Sequence, residues 1–344
     1  MNVVPQPSAD KVPQPSIDKT KTKNVVPQPS ADKVPQPSAD KANNIYYYYN
    51  MIPRIIFIVP YRNRVEHKQF FTKYMEFIME DYKKEEFETY FVHQCDNRPF
   101  NRGAMKNLGF LAMCEKYPND YKNITFVFHD VDTLPYTKNL LPYETTVGIV
   151  KHFYGFHYTL GGIFSIKGQD FEKVNGFPNF WGWGMEDNMM QDRVVLAKLH
   201  IDRTTFFPIG SQSMLQFIDG IKKAINKKEV AGYVNKSYPH GLNMIRNTKW
   251  TFKDEYINVT SFTTESEPSN LKFEEHNLAD PNTGGIIRLT KQERYGTNDN
   301  NPIQNRINNI ITRNNSMNNS RNNSRNNTNL LKSNNPVTMF KFRR

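Results

Sequence analysis

The sequence predicts an α/β fold in which an open mixed sheet is flanked by helices, forming one domain between two low-complexity tails. Three observations carry that expectation. Short apolar runs alternate with amphipathic stretches from Arg54 to His129, the β-α-β-α-β order of an open sheet with a ligand crevice at its strand ends. A loop of glycine, proline and aromatic residues, Gly176–Gly184, interrupts the second half. Both ends of the chain are too polar to bury a core.

The elements follow in order. Arg54–Val59 is a buried strand ended by Pro60. Residues Val65–Glu80 place Phe70, Phe71, Tyr74, Phe77 and Ile78 at helical spacing. Glu88–Gln94 is a second strand. Asn101 can cap a helix reaching Lys116, with Met105, Leu108, Leu111 and Ala112 inward. Ile124–His129 is a third strand, ending at an acidic pair. Beyond Pro135, Thr146–Lys151 and Ile163–Lys167 read as strands, and Gly168–Val174 and Glu186–Leu199 as helices.

Residues 1–43 hold four near-copies of the octad V-P-Q-P-S-x-D-K, at Val4–Lys11, Val12–Lys19, Val26–Lys33 and Val34–Lys41. So polar a unit cannot offset its ordering entropy, and its prolines favour an extended spacer. The expected domain spans residues 45–265, followed by a linker and an Asn/Arg-rich basic tail over 266–344. Residues 1–43 and 300–344 carry +2 and +8 of the formal charge of +11, so residues 44–299 are nearly neutral. Nucleic-acid binding by the core therefore gains no support from charge, while the basic tail could contact anionic partners. Cys95 and Cys114 have neither zinc spacing nor a disulfide framework. No apolar run reaches the length of a membrane span and no signal peptide is detected, which predicts a cytoplasmic location.

Three constellations suggest chemistry. Asp130 and Asp132, two apart at a strand end, can present their carboxylates on one face. Hard divalent cations take such ligands and can bridge a diphosphate. A solvated turn is the competing reading. Pro60-Tyr61-Arg62-Asn63-Arg64 follows the first strand, with two arginines suited to a diphosphate and a ring able to stack on a base. The sharpest cluster is Trp181-Gly182-Trp183-Gly184-Met185-Glu186-Asp187. Tryptophan faces suit the C–H surfaces of sugar rings, and a neighbouring carboxylate can take the proton of an attacking hydroxyl. Acids at a helix start are also favoured by the helix dipole alone.

These motifs, with Phe100-Asn101-Arg102, Gly161-Gly162, Asn175-Gly176-Phe177-Pro178, Arg193 and Gly241-Leu242-Asn243, resemble the β-1,4-galactosyltransferase family in the same order over about residues 53–262. The resemblance implies a GT-A fold (a Rossmann-like open mixed sheet), a UDP-sugar donor, a glycan acceptor, Mn²⁺ and inversion at the anomeric carbon. By motif position Asp187 would be the general base, with Glu186 orienting the acceptor. Trp181, Glu186, Asp187 and Asn188 would contact the acceptor. Pro60, Tyr61, Arg62, Arg64, Phe100, Asn101, Arg102, Asp130, Val131, Gly162 and Trp183 would line the donor site. Asp132 and Met214 would ligate the metal.

The sequence departs from the family pattern in three places. Asn188 stands where a third acid is usual. Met214-Leu215-Gln216-Phe217 aligns with a Met-x-x-His metal motif, and phenylalanine cannot ligate a metal. Thr159 replaces an aromatic residue that helps choose between galactose and N-acetylgalactosamine, leaving both donors open. The expected function is an inverting transfer of one of these sugars to a glycan hydroxyl. The alternatives are an inactive sugar- or nucleotide-binding protein on the same fold, motivated by Phe217, and a scaffold acting through its tails.

Overall fold

The computed structural model describes residues 52–295, apart from 218–219, 237 and 284–285. The octad repeats and the basic tail beyond residue 295 lie outside the described residues. The chain opens with β1 (Ile55–Tyr61), α1 (Val65–Ile78), β2 (Phe87–Gln94), α2 (Arg102–Lys116) and β3 (Thr125–His129). It continues through β4 (Thr133–Pro135), β5 (Ile149–Gly155), β6 (Ile163–Lys167), α3 (Gly168–Lys173) and α4 (Glu186–Leu196). Short strands β7 (His200–Asp202), β8 (Phe207–Pro208), β9 (Met214–Gln216) and β10 (Lys222–Ile225) lead to α5 (Lys227–Val234). The long pair β11 (Arg246–Lys253) and β12 (Tyr256–Thr263), then β13 (Glu274–Asn277) and α6 (Lys291–Tyr295), complete the described part.

The main sheet runs β11-β12-β2-β1-β3-β6-β5-β7, with β8 also on β5. β12, β2, β1 and β3 are mutually parallel neighbours, whereas β6 runs antiparallel to β3 and β5 antiparallel to β6. This is the open mixed sheet that the alternating pattern predicts. β1 is buried on both faces, as a central parallel strand should be. Ile55, Phe57 and Val59 meet Phe71, Met75 and Ile78 of α1, while Ile56 and Ile58 share a core with Leu108 and Ala112 of α2.

The aromatic run of α1 divides differently from the simple expectation. Phe71 and Ile78 face the sheet, but Phe70 and Phe77 are exposed and flank Tyr74 on the outer side, where Phe70 and Tyr74 stack at 5.3 Å. Asn101 caps α2 as expected: its side chain accepts from the Ala104 amide at 2.8 Å. α4 ends at Leu196 rather than Leu199, because Lys198 turns into the left-handed region that closes helices.

Residues past the expected boundary at 265 are built into the domain. β13 pairs with β10, the Leu278 amide donates to the Ile221 carbonyl at 2.9 Å, and Ile287 and Leu289 pack with Phe180 and Met185. No local signal in 266–289 announces this, since the pairing is made with a strand some fifty residues earlier.

Candidate active site

A cavity of about 810 Å³ opens at the carboxyl ends of β1 and β3. Its walls are the loop after β1 (Arg62–Arg64), the start of α2, the Asp130–Thr133 turn, Gly161–Gly162, the Trp181–Asn188 stretch, and the ends of β9, β10 and β13. The size and the strand-end position are those of a small-molecule site on an open α/β sheet.

Acids and bases cluster in its floor. Arg102, on the first turn of α2, donates to both oxygens of Asp130 at 2.7 Å, to Glu186 Oε1 at 2.6 Å and to Asp187 Oδ2 at 2.9 Å. One turn later on the same helix face, Lys106 Nζ lies 3.3 Å from Asp187 Oδ1 and is almost wholly buried. Burial alone would raise the Asp187 carboxyl, but Arg102 and then Lys106 outweigh it and hold Asp187 below the usual carboxylate range. Glu186 moves the other way, raised first by burial and then by the charge of Asp187. Its Oε2 is buried and has no hydrogen-bond partner in the protein. Two adjacent carboxyls are thus pushed apart in acidity.

The glycines leave room for this arrangement. A β-carbon on Gly161 would lie 2.2 Å from Asp187 Oδ2, so only glycine lets the strand approach the carboxylate. The Asp187 carbonyl accepts from the Leu160 amide at 2.9 Å, and the Gly162 carbonyl from the Asp130 amide at 3.1 Å. The Leu160–Gly162 stretch therefore spaces the two acidic motifs.

The tryptophans have different jobs. Trp181 stacks on Phe262 at 5.5 Å and donates its indole N–H to the Ser266 carbonyl at 2.8 Å, so it anchors the loop and contributes only an edge to the cavity. Trp183 is half-buried in the cavity wall, and its amide donates to the Ala224 carbonyl of β10 at 2.7 Å. The loop between them is held by buried Glu229 of α5, which accepts from the amides of Trp181 at 2.9 Å and Gly182 at 2.7 Å.

Most of the residues expected around a donor line this cavity: Pro60, Arg62, Arg64, Phe100, Arg102, Asp130, Val131, Gly162 and Trp183. Asp132, Glu186, Asp187 and Asn188 line it too. Two do not. Tyr61 alternates to the opposite side of β1 and packs among Phe91, His93 and Tyr256, so its ring serves the core. Asn101 is fully buried, capping α2 and donating to the Asn179 carbonyl at 3.0 Å, so it sets the start of the helix that carries Arg102. Arg62 reaches the cavity, but its guanidinium clamps the carbonyls of Asp96, at 2.9 Å, and Arg98.

The positions aligned with a metal motif do meet in space. β9 pairs with β4, and the Phe217 amide donates to the Asp132 carbonyl at 2.8 Å, so Phe217 stands directly beside Asp132. Its ring packs on His67 at 5.5 Å and Phe70 at 4.9 Å. Met214 is buried in the apolar cluster on the α1 side and does not line the cavity. His240, another residue able to ligate a metal, does not line the cavity; its carbonyl accepts from Arg193 at 2.5 Å. Asp130 is taken up by Arg102. One carboxylate, a buried soft thioether and a phenyl ring do not make a donor set for a hard divalent cation. Among the described residues no three His, Cys, Asp or Glu side chains converge as a metal site. The residues present therefore do not fit the Mn²⁺ that the resemblance implies.

Three residues of the site escaped the sequence reading. Lys106 was accessible in principle, since it lies at i+4 from Arg102 on a predicted helix. Glu229 and Lys223 come from a region with no motif, brought in by the β10–α5 connection.

Known proteins similar to this chain are glycosyltransferases. Residues 49–143 match the N-terminal region of glycosyl transferase group 7, and residues 144–216 match the N-terminal domain of galactosyltransferase. Beta-1,4-galactosyltransferase 4 of Cricetulus griseus is 32% identical over 161 residues, covering 44% of this chain and 45% of that protein. Beta-1,4-galactosyltransferase 1 of Homo sapiens is 28% identical over 218 residues, covering 61% and 50%. The chain thus spans about half the length of these relatives. A solved structure of a Drosophila β-1,4-galactosyltransferase 7 mutant, in complex with manganese, UDP-Gal and xylobiose, aligns over 63% of this chain and 97% of that one. The identity is 19% and the TM-score 0.47. With adjoining family matches across residues 49–216, on the stretch that builds the acidic cluster, the chain belongs to the β-1,4-galactosyltransferase family.

Proposed function

We propose that this protein is an inverting glycosyltransferase that moves galactose, or N-acetylgalactosamine, from a UDP-sugar to a glycan hydroxyl. The observation that carries the reading is Asp187, held ionised by Arg102 and Lys106, opening on the cavity beside Glu186 and Trp183.

The residues divide the work as follows. Trp183 offers an apolar ring to the C–H face of a sugar. Glu186 Oε2, buried and unpartnered, is an acceptor for a second hydroxyl of the incoming glycan and fixes its orientation. Asp187 accepts the hydrogen of the attacking hydroxyl. As the oxygen bonds to the anomeric carbon, the bond from that carbon to the donor's β-phosphate oxygen breaks. Its electron pair leaves with UDP, and the hydroxyl proton passes to Asp187. A carboxylate of lowered basicity takes that proton only as the hydroxyl becomes acidic in the transition state, so base catalysis is confined to the displacement itself. Attack from the side opposite the leaving group inverts the centre.

Donor choice falls to Thr159, buried in the wall with its hydroxyl turned to the Phe156 carbonyl at 3.3 Å. A side chain this small leaves space for an N-acetyl group. The test is to follow UDP release from UDP-galactose and UDP-N-acetylgalactosamine over a panel of sugar acceptors. Acceptor-stimulated release with either donor supports transfer; UDP binding without release, for every acceptor, supports the second reading. That second reading, an inactive sugar- or nucleotide-binding protein on the same fold, rests on Phe217 at the metal-motif position.

The cytoplasmic location expected from the sequence is withdrawn. The chain belongs to a family whose members are Golgi-resident type II membrane enzymes. Among the described residues no helix is long and apolar enough to cross a membrane.

A further inference from the structure

Phe217 beside Asp132 raises the question of what offsets the charge of a diphosphate in this cavity. Arg62, Arg64, Arg102, Lys222 and Lys223 all line it. Arg64 and Lys223 line the same cavity as Asp132 from two different elements, the loop after β1 and the strand β10.

Lys223 is positioned by its strand. β10 alternates, with Lys222 and Ala224 exposed and Lys223 and Ile225 turned inward. Its Nζ lies 5.9 Å from the Trp183 ring, and the next residue on the strand accepts the Trp183 amide. Burial lowers the proton affinity of the ammonium, Arg64 lowers it further, and Asp132 partly restores it. Arg64 and Lys223 thus bring two positive charges to the cavity that Asp132 also lines, an arrangement that an anion stabilises.

We propose that Arg64 and Lys223 supply the counter-charge for the donor's diphosphate in place of a protein-held divalent cation, so that this chain binds UDP without metal. The inference rests on the nucleotide-sugar reading above and adds how the leaving group is held. Arginine can grip a phosphate through two parallel N–H groups, and lysine adds a point charge on the other side. The same strand carries Lys223 and ties the Trp183 loop, so diphosphate binding would also set the position of the ring over the sugar.

The test is calorimetric titration of the full chain with UDP and with uridine, in a chelator and then with added Mn²⁺. UDP is expected to bind in the chelator, with no appreciable gain from Mn²⁺. Lys223→Met should weaken UDP about tenfold or more, the worth of one charge-assisted hydrogen bond, while leaving uridine unchanged. Lys223→Arg should restore most of the affinity, which a merely structural role would not require. UDP binding only with Mn²⁺, or UDP affinity untouched by Lys223→Met, overturns the inference and leaves the transferase reading standing. Failure of UDP to bind under either condition overturns the nucleotide reading, and the inference with it.

Discussion

The carboxylate of Asp187 lies against Gly161 so closely that a β-carbon added there would sit 2.2 Å from Oδ2. The backbone of the antiparallel half of the sheet is thus the surface that aims the proposed base. Gly161→Ala should displace Asp187 by a large fraction of an ångström. We expect kcat to fall about a hundredfold with UDP affinity retained, read by steady-state kinetics and titration. Full turnover in that variant would mean that Asp187 need not be where the glycine puts it.

Arg102 neutralises three carboxylates from one helix turn. Removing it in Arg102→Met leaves Lys106 as the cation paired with Asp130 and Asp187. Breaking a buried charge network in this way costs about 3–5 kcal/mol, measurable as a lower urea midpoint. Arg102→Lys keeps the charge but cannot fork across the three acids, so it should recover only part of the loss. A midpoint unmoved by Arg102→Met would show that the cluster is not stabilised by this pairing.

Glu229 gives the fold a pH dependence with a definite sign. Burial pushes its carboxyl up to about 7 from 4.5, despite two amide hydrogen bonds. A raised carboxyl binds its proton more tightly folded than unfolded. Its contribution to stability is therefore greatest below about 4.5 and declines as pH rises towards about 7. The thermal midpoint of the wild type relative to Glu229→Gln should fall across that window. A constant difference between the two curves would remove Glu229 from the pH response.

Thr159→Tyr tests donor choice. Filling the wall beside Gly161 with an aromatic ring should suppress use of UDP-N-acetylgalactosamine and spare UDP-galactose, compared as kcat/KM for each donor. Equal losses on both donors would indicate that Thr159 does not face the sugar's second carbon.

Much of this was legible in the sequence because the strongest signals are local. The alternation of apolar runs with amphipathic stretches places β1, α1, β2, α2 and β3 within a few residues, and Asn101 announces its helix through a capping preference. The tryptophan-glycine-acid stretch marks the site because its residues act next to one another. What stayed hidden depends on distant pairing. Tyr61 lies inside a cavity-lining motif yet turns into the core, since neighbouring residues on a strand face opposite sides. Trp181 and Trp183 look alike in the sequence, but only the contacts of Trp181 with Phe262 and Ser266 show it to be an anchor. β13, Glu229 and Lys223 enter through the pairing and packing of short elements that carry no motif, so no pattern of residue types could have brought them to the site.

The most direct measurement compares wild type with Asp187→Asn, following glycosyl transfer and UDP affinity in parallel. Asparagine keeps the shape and removes the charge and the basicity. We expect transfer to fall by about 10²–10⁴-fold, the usual worth of a general base, with UDP bound as before. Turnover comparable to wild type would contradict the assignment of Asp187 as the base and, with it, the proposed mechanism.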